Sequence, residues 1–388
     1  MQEMDTKRKD HLPKFVTPET AVQAVRSGDW VDYGFGAGVP ELLDQALAAR
    51  KGGVRDVKVR GGLVIRPRIE IVESDPEQEI FTYYSWHIGD YERKLQTRGL
   101  VKFLPVMLRS LPYLYRDKHI RCDVAFVPVS RPDEDGYCGL GISNYAWRTI
   151  FESARTVIFE INEHYPRLQG VPYTVAKMLA ESDKHDLGCH TGTISDAFLE
   201  LYRAGKLTNA RKELDTGRSA WNLAMGSQAI YDWLDAEPEF FHPGDLDYIH
   251  SVERIAKLSN VISINGGVQL DLMGQENAES TGTRQLSGIG GQMDFLEGAY
   301  RSQGGKGFIC INVSRVTKDG ERKSNIVAAI PSGSTVSAPR TMIQHVATEY
   351  GIAVLSSKSL RERAEAMAAI AHPDFREKLM KYARDNFR

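Results

Sequence analysis

Two glycine-rich turns are the places where this chain could best hold a ligand. Residues 287–291 read SGIGG and residues 303–307 read QGGKG, each beside an apolar run. Glycine lets the backbone approach a ligand closely, and consecutive amides form a concavity for anions or carbonyl oxygens. A lone turn of this kind is more often purely structural. The functional alternative is a ligand cradle built from Gly288, Gly290 and Gly291.

Polar side chains that could face such a ligand occur in the same region. Lys306, in the second turn, could bind a phosphate. The alternative, an ordinary solvated lysine on the surface, is expected at least as strongly. Gln269 alternates with apolar neighbours along a predicted strand, so it shares one face with Asp271. A neutral amide there keeps its hydrogen-bonding ability without a charge. Glu276 supplies a carboxylate a few residues later.

The first half of the chain offers a histidine and a further glycine turn. His87 ends the block Tyr84-Ser85-Trp86-His87 in a loop-like stretch, where a substrate contact and an ordinary polar role are equally expected. Gly36 lies in a glycine turn that follows a short strand. We place Gly36 and His87 in a predicted substrate pocket.

The elements that must position these residues are typical of an α/β protein. A helix is predicted over 17–30 with Thr17 as its N-cap, followed by a strand at 30–33, a turn at 34–40 and a helix from Glu41. This strand–turn–helix unit is one that opens α/β domains. Alternation of strands and helices favours a largely parallel sheet covered on both faces. Further strands are predicted at 57–59, 80–84, 124–129 and 156–161.

A polar, proline-containing stretch at 162–172 lacks periodicity and predicts a domain boundary. A chain of 388 residues is also long for a single core. We therefore predict an N-terminal domain over 1–170 and a C-terminal domain over 171–388. The second domain is predicted to contain helices near 194–204 and 226–236, strands near 261–272 and 308–313, and a helical tail at 359–371 and 374–387.

Composition restricts the class of partner. Hydrophobic residues make up 42% and charged residues 26%, as in an ordinary globular protein. A formal net charge of −2 argues against nucleic acid or an anionic membrane as the main partner. No apolar run approaches the roughly 20 residues of a membrane span, and residues 1–15 lack the apolar core of a secretory signal. The four cysteines are scattered without a C-x-x-C pair, which argues against disulfides and a metal site. A cytoplasmic enzyme is expected.

Three long motifs carry a family resemblance. Residues 261–310, together with 346–353 and 370–376, resemble the acetyl-CoA hydrolase/transferase family, which includes the 4-hydroxybutyrate and butyryl-CoA:acetate CoA-transferases. The likeness runs from about Thr17 to Phe387. It implies two tandem domains of the CoA-transferase fold, with largely parallel sheets flanked by helices, and an oligomeric protein. It also implies coenzyme A, bound as a thioester, as the substrate.

The resemblance gives several residues a role. The 288–291 turn would cradle the pantetheine or thioester of CoA, and Gln269 would line the CoA channel. His87 matches a family S-W-H block near the acyl pocket. Family members use a glutamate that follows an H-T pair as nucleophile, because a carboxylate forms a mixed anhydride and then a glutamyl-CoA thioester. The matching stretch 187–196 reads LGCHTGTISD, so Gly192 occupies the nucleophile position.

A second family feature is missing near the same position. The family has a strand and a G-I-G-G-I-P loop that supplies amides to the developing oxyanion. Residues between Pro172 and Asp186 are too few to hold both. A change of role and an internal deletion both explain this. Glu276, Glu279 or a glutamate of a partner chain are candidates to replace the lost nucleophile.

The predicted function is that of the family. The chain would act on CoA thioesters of small carboxylic acids, as a CoA-transferase with acetate or a similar acceptor or as an acyl-CoA hydrolase. Two alternatives stay open. One is a different reaction on an acyl-CoA, such as decarboxylation. The other is a non-catalytic CoA-binding subunit in a hetero-oligomer with a paralogue that keeps the glutamate, instead of a homo-oligomer.

Overall fold

The N-terminal region is built on a six-stranded parallel sheet with the order β4-β3-β2-β1-β5-β6. The computed structural model describes residues 15–130, 138, 140, 143, 145–162, 179–317 and 319–387. The central strand β5 is buried along its whole length, as its apolar sequence VAFVPV requires between two helical layers. The strands are β1 (Trp30–Phe35), β2 (Val57–Gly62), β3 (Phe81–Ser85), β4 (Lys102–Phe103), β5 (Val124–Val129) and β6 (Thr156–Ile161).

Helices cover both faces of this sheet, and a separate apolar cluster fills each interface. The helices are α1 (Pro18–Ala21), α2 (Leu42–Ala48), α3 (Glu70–Glu73), α4 (Asp90–Thr97), α5 (Leu111–Arg116) and α6 (Trp147–Ser153). The strand order reverses between β1 and β5, because β2, β3 and β4 lie on one side of β1 and β5 and β6 lie on the other. Ligands of doubly wound sheets bind in the crevice outside the carboxyl ends of the strands at such a point.

The first predicted helix is shorter than expected. Thr17 is its N-cap, since the side chain accepts a hydrogen bond from the Thr20 amide. The α-helix ends at Ala21 and a single 3-10 turn continues to Ala24. The guanidinium of Arg50 donates to the carbonyls of Val22 and Val25, which takes these groups out of a continuing helix. The prediction of a helix over 17–30 was therefore wrong in length.

A second, three-stranded parallel sheet follows, with the order β7-β8-β9. Its strands are β7 (His190–Ile194), β8 (Ser219–Ala224) and β9 (Phe241–Pro243), and its helices are α7 (Asp196–Arg203), α8 (Gln228–Ala236), α9 (Leu246–Ile249) and α10 (Val252–Ile255). A cluster of apolar and aromatic side chains, including Trp221 and Trp233, packs these helices on the sheet. The predicted helices near 194–204 and 226–236 are confirmed.

The remaining chain forms a four-stranded sheet, β10-β15-β19-β20, and a three-stranded sheet, β12-β11-β18, with two short hairpins. Its strands are β10 (Ile262–Gly266), β11 (Gln269–Asp271), β12 (Glu276–Asn277), β13 (Ser280–Thr281), β14 (Arg284–Gln285), β15 (Lys306–Cys310), β16 (Ser314–Val316), β17 (Arg322–Ser324), β18 (Ile326–Val327), β19 (His345–Thr348) and β20 (Gly351–Val354). Its helices are α11 (Gln292–Arg301), α12 (Leu360–Ala369) and α13 (Pro373–Asn386).

The predicted strand near 261–272 is two strands that belong to different sheets. The chain turns at Gly266 and Gly267, between β10 and β11. A Cβ added at Gly267 would lie 2.8 Å from the Glu276 carboxylate and 3.1 Å from Ile309, so glycine permits this close crossing. The prediction of one continuous strand was therefore wrong.

The predicted α/β class with largely parallel sheets and flanking helices is confirmed. The predicted boundary between residues 170 and 171 lies outside the described residues, as does most of the stretch between Pro172 and Asp186. None of the helices in the described ranges is both long and apolar enough to cross a membrane.

Candidate active site

The glycine turn after β1 lies at the point where the first sheet meets the second. Gly36 has a φ of +61°, a conformation that other residues adopt at a cost. A Cβ added at Gly34 would lie 2.0 Å from the Gly38 carbonyl oxygen, so the turn closes tightly on itself. An added Cβ at Gly36 would lie 3.6 Å from Leu223 of β8. Gly36 therefore stands at the switch point of the parallel sheet, facing the C-terminal half.

His87 stands beyond the carboxyl end of β3 and touches the glycine-rich 287–291 turn. Its Nε2 lies 3.0 Å from Ser287 Oγ. A Cβ added at Gly288 would lie 2.7 Å from the Trp86 carbonyl oxygen and 3.1 Å from His87 Nδ1, so only glycine permits this approach. Burial, with a smaller effect of Arg93, lowers the pKa of His87 to about 4. The structure thus brings together the predicted pocket histidine, in its neutral form, and the predicted cradle.

The turn itself presents unused amides. In the described part of the chain, the backbone N–H groups of residues 288–291 donate no hydrogen bond to another residue. Gly290 has a φ of +61°, and helix α11 begins directly after the turn. The amino end of a helix carries partial positive charge, so these amides can donate hydrogen bonds to an anion or to a polarised carbonyl oxygen.

The two predicted glycine turns lie at opposite ends of α11. That helix has 10 residues, so about 15 Å separates its ends. Lys306 is exposed at the start of β15. The structure therefore does not bring Lys306 to the 288–291 cradle.

Gly192 lies on β7 beside a buried imidazole. A Cβ added there would be 3.2 Å from His250 Nε2 and 3.3 Å from its Cε1. Phe295 lies on the same side, with its ring edge 3.5 Å from that added Cβ. Gly192 itself is half-buried. Gly192, the predicted nucleophile position, therefore faces a histidine.

Two charged residues hold this histidine. His250 Nδ1 lies 3.1 Å from Asp294 Oδ2, and Asp294 Oδ1 lies 3.1 Å from Arg109 Nε. His250 is 2% exposed and Asp294 is fully buried. Burial raises the pKa of Asp294, while the hydrogen bond with His250 opposes that rise. An ionised Asp294 accepts a hydrogen bond from Nδ1–H, and the lone pair of the neutral ring is then on Nε2. That Nε2 has no hydrogen-bond partner among the described residues.

Glycine at position 291 is required for this arrangement. A Cβ added to Gly291 would lie 2.1 Å from His250 Cε1, so any larger residue would displace the ring. The ring thus lies between Gly291 and Gly192. Sequence reasoning predicted both glycines but missed His250, Asp294 and Arg109. No spacing signal links those three, because they are far apart in the chain and come from different elements.

Glu276 and Gln269 lie together in the small β12-β11-β18 sheet. Glu276 is fully buried, and its Oε2 accepts a hydrogen bond from the side chain of Gln292, the first residue of α11. Burial, with repulsion from Glu279, raises the pKa of Glu276 to about 8. Its Oε1 lacks a hydrogen-bond partner in the described ranges. Gln269 is 7% exposed and pairs with Asn277.

No metal centre accompanies these residues in the described part of the chain, where no three His, Cys, Asp or Glu side chains cluster. A surface groove of about 470 Å³ between β17 and α13 holds none of the predicted site residues. The groups that the structure brings together around the 288–291 turn are backbone amides, histidines and buried carboxylates.

Comparison with known proteins identifies the family of this chain. The acetyl-CoA hydrolase/transferase N-terminal domain matches residues 1–181, and the C-terminal domain of the same family matches residues 226–383. The chain belongs to the acetyl-CoA hydrolase/transferase family. The prediction of two tandem family domains is confirmed, and so is the function prediction at the level of CoA-transferases and acetyl-CoA hydrolases.

Similar proteins cover nearly the whole chain. A butyryl-CoA:acetate CoA-transferase of Anaerostipes caccae is 35% identical over 97% of this chain and 97% of its own length. The 4-hydroxybutyrate coenzyme A transferase of Clostridium kluyveri is 31% identical over 96% and 98%. Among solved structures, RipA of Yersinia pestis has a TM-score of 0.84 at 30% identity, covering 95% of this chain and 97% of that one.

This chain is shorter than the relatives that it matches. The alignment with the Anaerostipes caccae enzyme has 434 positions, whereas 97% of 388 residues is about 376, so about 58 positions of that relative have no counterpart here.

Proposed function

We propose that this chain processes CoA thioesters of small carboxylic acids, passing the acyl group to water or the CoA to a second acid such as acetate. The observation that carries the proposal is the docking of the 288–291 turn, with its unused amides, against His87 at the carboxyl edge of the parallel sheet. Gly36 closes the same edge. A thioester carbonyl held by these amides would be polarised for attack.

The remaining predicted contacts fit an extended ligand. CoA is long, so a phosphate contact from Lys306 at the far end of α11 is compatible with a thioester at the near end. Gln269 would contact the ligand between them. This division supports CoA, bound as a thioester, as the ligand.

The reaction proceeds without a covalent intermediate on residue 192, since Gly192 has no side chain to acylate. Glu276 and Glu279 are the alternative nucleophiles. Both are buried, and with a pKa of about 8 Glu276 is mostly protonated at neutral pH, which makes it a poor nucleophile. Direct attack by water or by the acceptor acid is therefore favoured.

Calorimetry with CoA and acetyl-CoA tests the cradle. Gly290→Val should weaken binding at least tenfold, because a branched side chain blocks the approach to the turn amides. Gly282→Val is the matched control. Gly282 has a similar φ of +57° but has open space around it and lies outside the turn, so its variant carries the same backbone strain.

Turnover is measured on the same samples as CoA release from acetyl-CoA and butyryl-CoA, with and without acetate. The proposal is refuted if the wild-type chain neither binds CoA nor turns over an acyl-CoA. Borohydride treatment followed by peptide mass spectrometry detects any acylated carboxylate. An adduct on Glu276 or Glu279 would show that a covalent route operates.

A second candidate, a subunit that pairs with another chain, is favoured by an exposed apolar face. Ile262 and Ile264 of β10 and Ile352 and Val354 of β20 are each between 47% and 60% exposed. The pairing of β15 with β10 and of β19 with β20 places them on one face of the four-stranded sheet. We propose that this face contacts a second copy or a glutamate-bearing relative. Light scattering of the purified chain, alone and mixed with such a relative, decides between them.

The four cysteines are reduced, since none of them forms a disulfide bond. A reducing compartment such as the cytoplasm would keep them so. This observation supports placing the proposed reaction there.

A further inference from the structure

Within the described ranges, His250 is the buried histidine whose unpaired ring nitrogen faces Gly192, the predicted nucleophile position. Its Nε2 lies 3.2 Å from the place of a Cβ on Gly192 and lacks a hydrogen-bond partner within the described ranges. A buried polar atom without a partner destabilises the folded protein. That destabilisation is compensated when a ligand or water supplies the missing partner, so the arrangement indicates a site for one.

The surroundings of His250 are those of a general base. Asp294 fixes the ring through Nδ1, and Arg109 from the N-terminal half lies against the other oxygen of Asp294. The Phe295 ring packs edge-on against the imidazole, with 5.3 Å between the ring centres. A carboxylate that orients a histidine and stabilises its charged form is the arrangement that activates hydroxyl nucleophiles in hydrolases.

We propose that His250 is the general base of an acyl-CoA hydrolysis, with the attacking water bound to His250 Nε2 beside Gly192. This inference rests on the proposed function, and it selects water as the acceptor of the acyl group. Glycine at 192 leaves room for the water, whereas a glutamate there would fill that room. His250 is then a catalytic residue, and Asp294 positions it.

The step balances without another reactant. The water oxygen bonds to the thioester carbonyl carbon while one of its protons passes to His250 Nε2. The negative charge on the carbonyl oxygen is held by the amides of residues 288–291. The carbon–sulfur bond then breaks, its electron pair leaves with sulfur, and the proton on Nε2 passes to the CoA thiolate. The products are the carboxylic acid and CoA, and the histidine is neutral again.

The geometry explains why the base and the cradle act on one carbonyl group. Gly291 ends the turn and contacts His250 Cε1, the same ring atom that faces Gly192. Asp294 and Phe295 follow in the first turn of α11. The turn and the first residues of α11 therefore supply the oxyanion donors, the Asp294 carboxylate that orients His250, and the apolar Phe295 ring beside it.

The test compares thiol release from acetyl-CoA and butyryl-CoA by the wild type and by His250→Gln. We expect the variant to lose 100- to 10,000-fold in kcat, with CoA affinity within twofold by calorimetry. His190→Gln is the matched control. His190 is a partly buried histidine on β7 whose Nε2 lies 2.8 Å from the Ile249 carbonyl oxygen, a contact that glutamine can replace. It should keep activity within tenfold.

Three further readouts separate a base from a structural residue. Hydrolysis in ¹⁸O-labelled water should place one label in the product acid in a single turnover. Added imidazole should restore at least tenfold activity to His250→Ala, because the ring can occupy the space left by the side chain. Asp294→Asn should lower kcat and change its pH profile while KM stays the same.

Several outcomes would overturn the assignment while leaving the proposed function intact. These are equal hydrolysis rates for the wild type and His250→Gln, transfer to acetate without any transfer to water, and an acyl group covalently attached to His250. Equal losses in His190→Gln and His250→Gln would also overturn it. Failure of the wild type to bind CoA is a different result and would refute the proposed function itself.

Discussion

Replacing Gly192 by glutamate tests how the nucleophile position is built. The substitution installs the glutamate that the family resemblance predicts at this position. Gly192 has no positive φ, so the backbone accepts a side chain. Its surroundings do not. The new Cβ would lie 3.2 Å from His250 Nε2 and 3.5 Å from Phe295, and the carboxylate would have to pass the imidazole to reach a thioester.

Overpacking of this kind costs about 1–3 kcal/mol, which is roughly 5- to 150-fold if it falls on the reactive geometry. The carboxylate would also bind His250 Nε2 and form an ion pair beside Asp294. We therefore expect Gly192→Glu to lose hydrolysis and to gain almost no transfer, below about 1% of the rate of a glutamate-bearing relative. The double variant Gly192→Glu/His250→Asn should transfer CoA at least tenfold faster than Gly192→Glu alone. Asparagine is smaller than histidine and still donates a hydrogen bond to Asp294.

The assay follows CoA transfer from butyryl-CoA to acetate by chromatography and traps glutamyl-CoA with borohydride. Gly192→Gln is the control, because it has the same size but forms no thioester with CoA. Robust transfer by Gly192→Glu alone would refute the packing argument. It would mean that His250 moves aside freely and that the turn amides already serve a transferase.

Two further predictions concern stability. Gly291→Ala should destabilise the protein by more than about 1–3 kcal/mol, because its Cβ would lie 2.1 Å from His250 Cε1. Urea unfolding should show that adding His250→Gly recovers most of this lost stability. If no stability is recovered, the clash lies elsewhere. Burial lowers the pKa of His87 and of His190 to about 4 each, and both titrate near 6.5 in the unfolded chain. Unfolding therefore takes up protons as pH falls from 6.5 to 4, and the free energy of unfolding decreases across that window by up to ~3 kcal/mol per histidine. Urea midpoints at pH 7, 5.5 and 4.5 should show this decrease, and His190→Gln should reduce it; a flat profile in the wild type would contradict the burial argument.

The sequence determined the class of fold and the glycines of the site. Alternating apolar strands and helices predicted the parallel sheet, because burial on both faces requires runs such as VAFVPV in β5. Local glycine chemistry predicted the 288–291 cradle, and the motif order predicted the family. Where the prediction was wrong, a long-range contact had decided the local structure. Arg50 ends the first helix early, and the crossing at Gly267 divides the strand near 261–272.

The tertiary structure alone decided which groups face the position of the missing nucleophile. Gly192 was predicted as a loss, but nothing in its neighbourhood along the chain shows that His250 faces it. His250, Asp294 and Arg109 come from three separate parts of the chain. The His250–Asp294 hydrogen bond and the Asp294–Arg109 ion pair form only when α11 packs against the end of α9 and against the N-terminal half. Side-chain chemistry between such distant residues has no periodicity or spacing in sequence, because it depends on how the sheets and helices pack together.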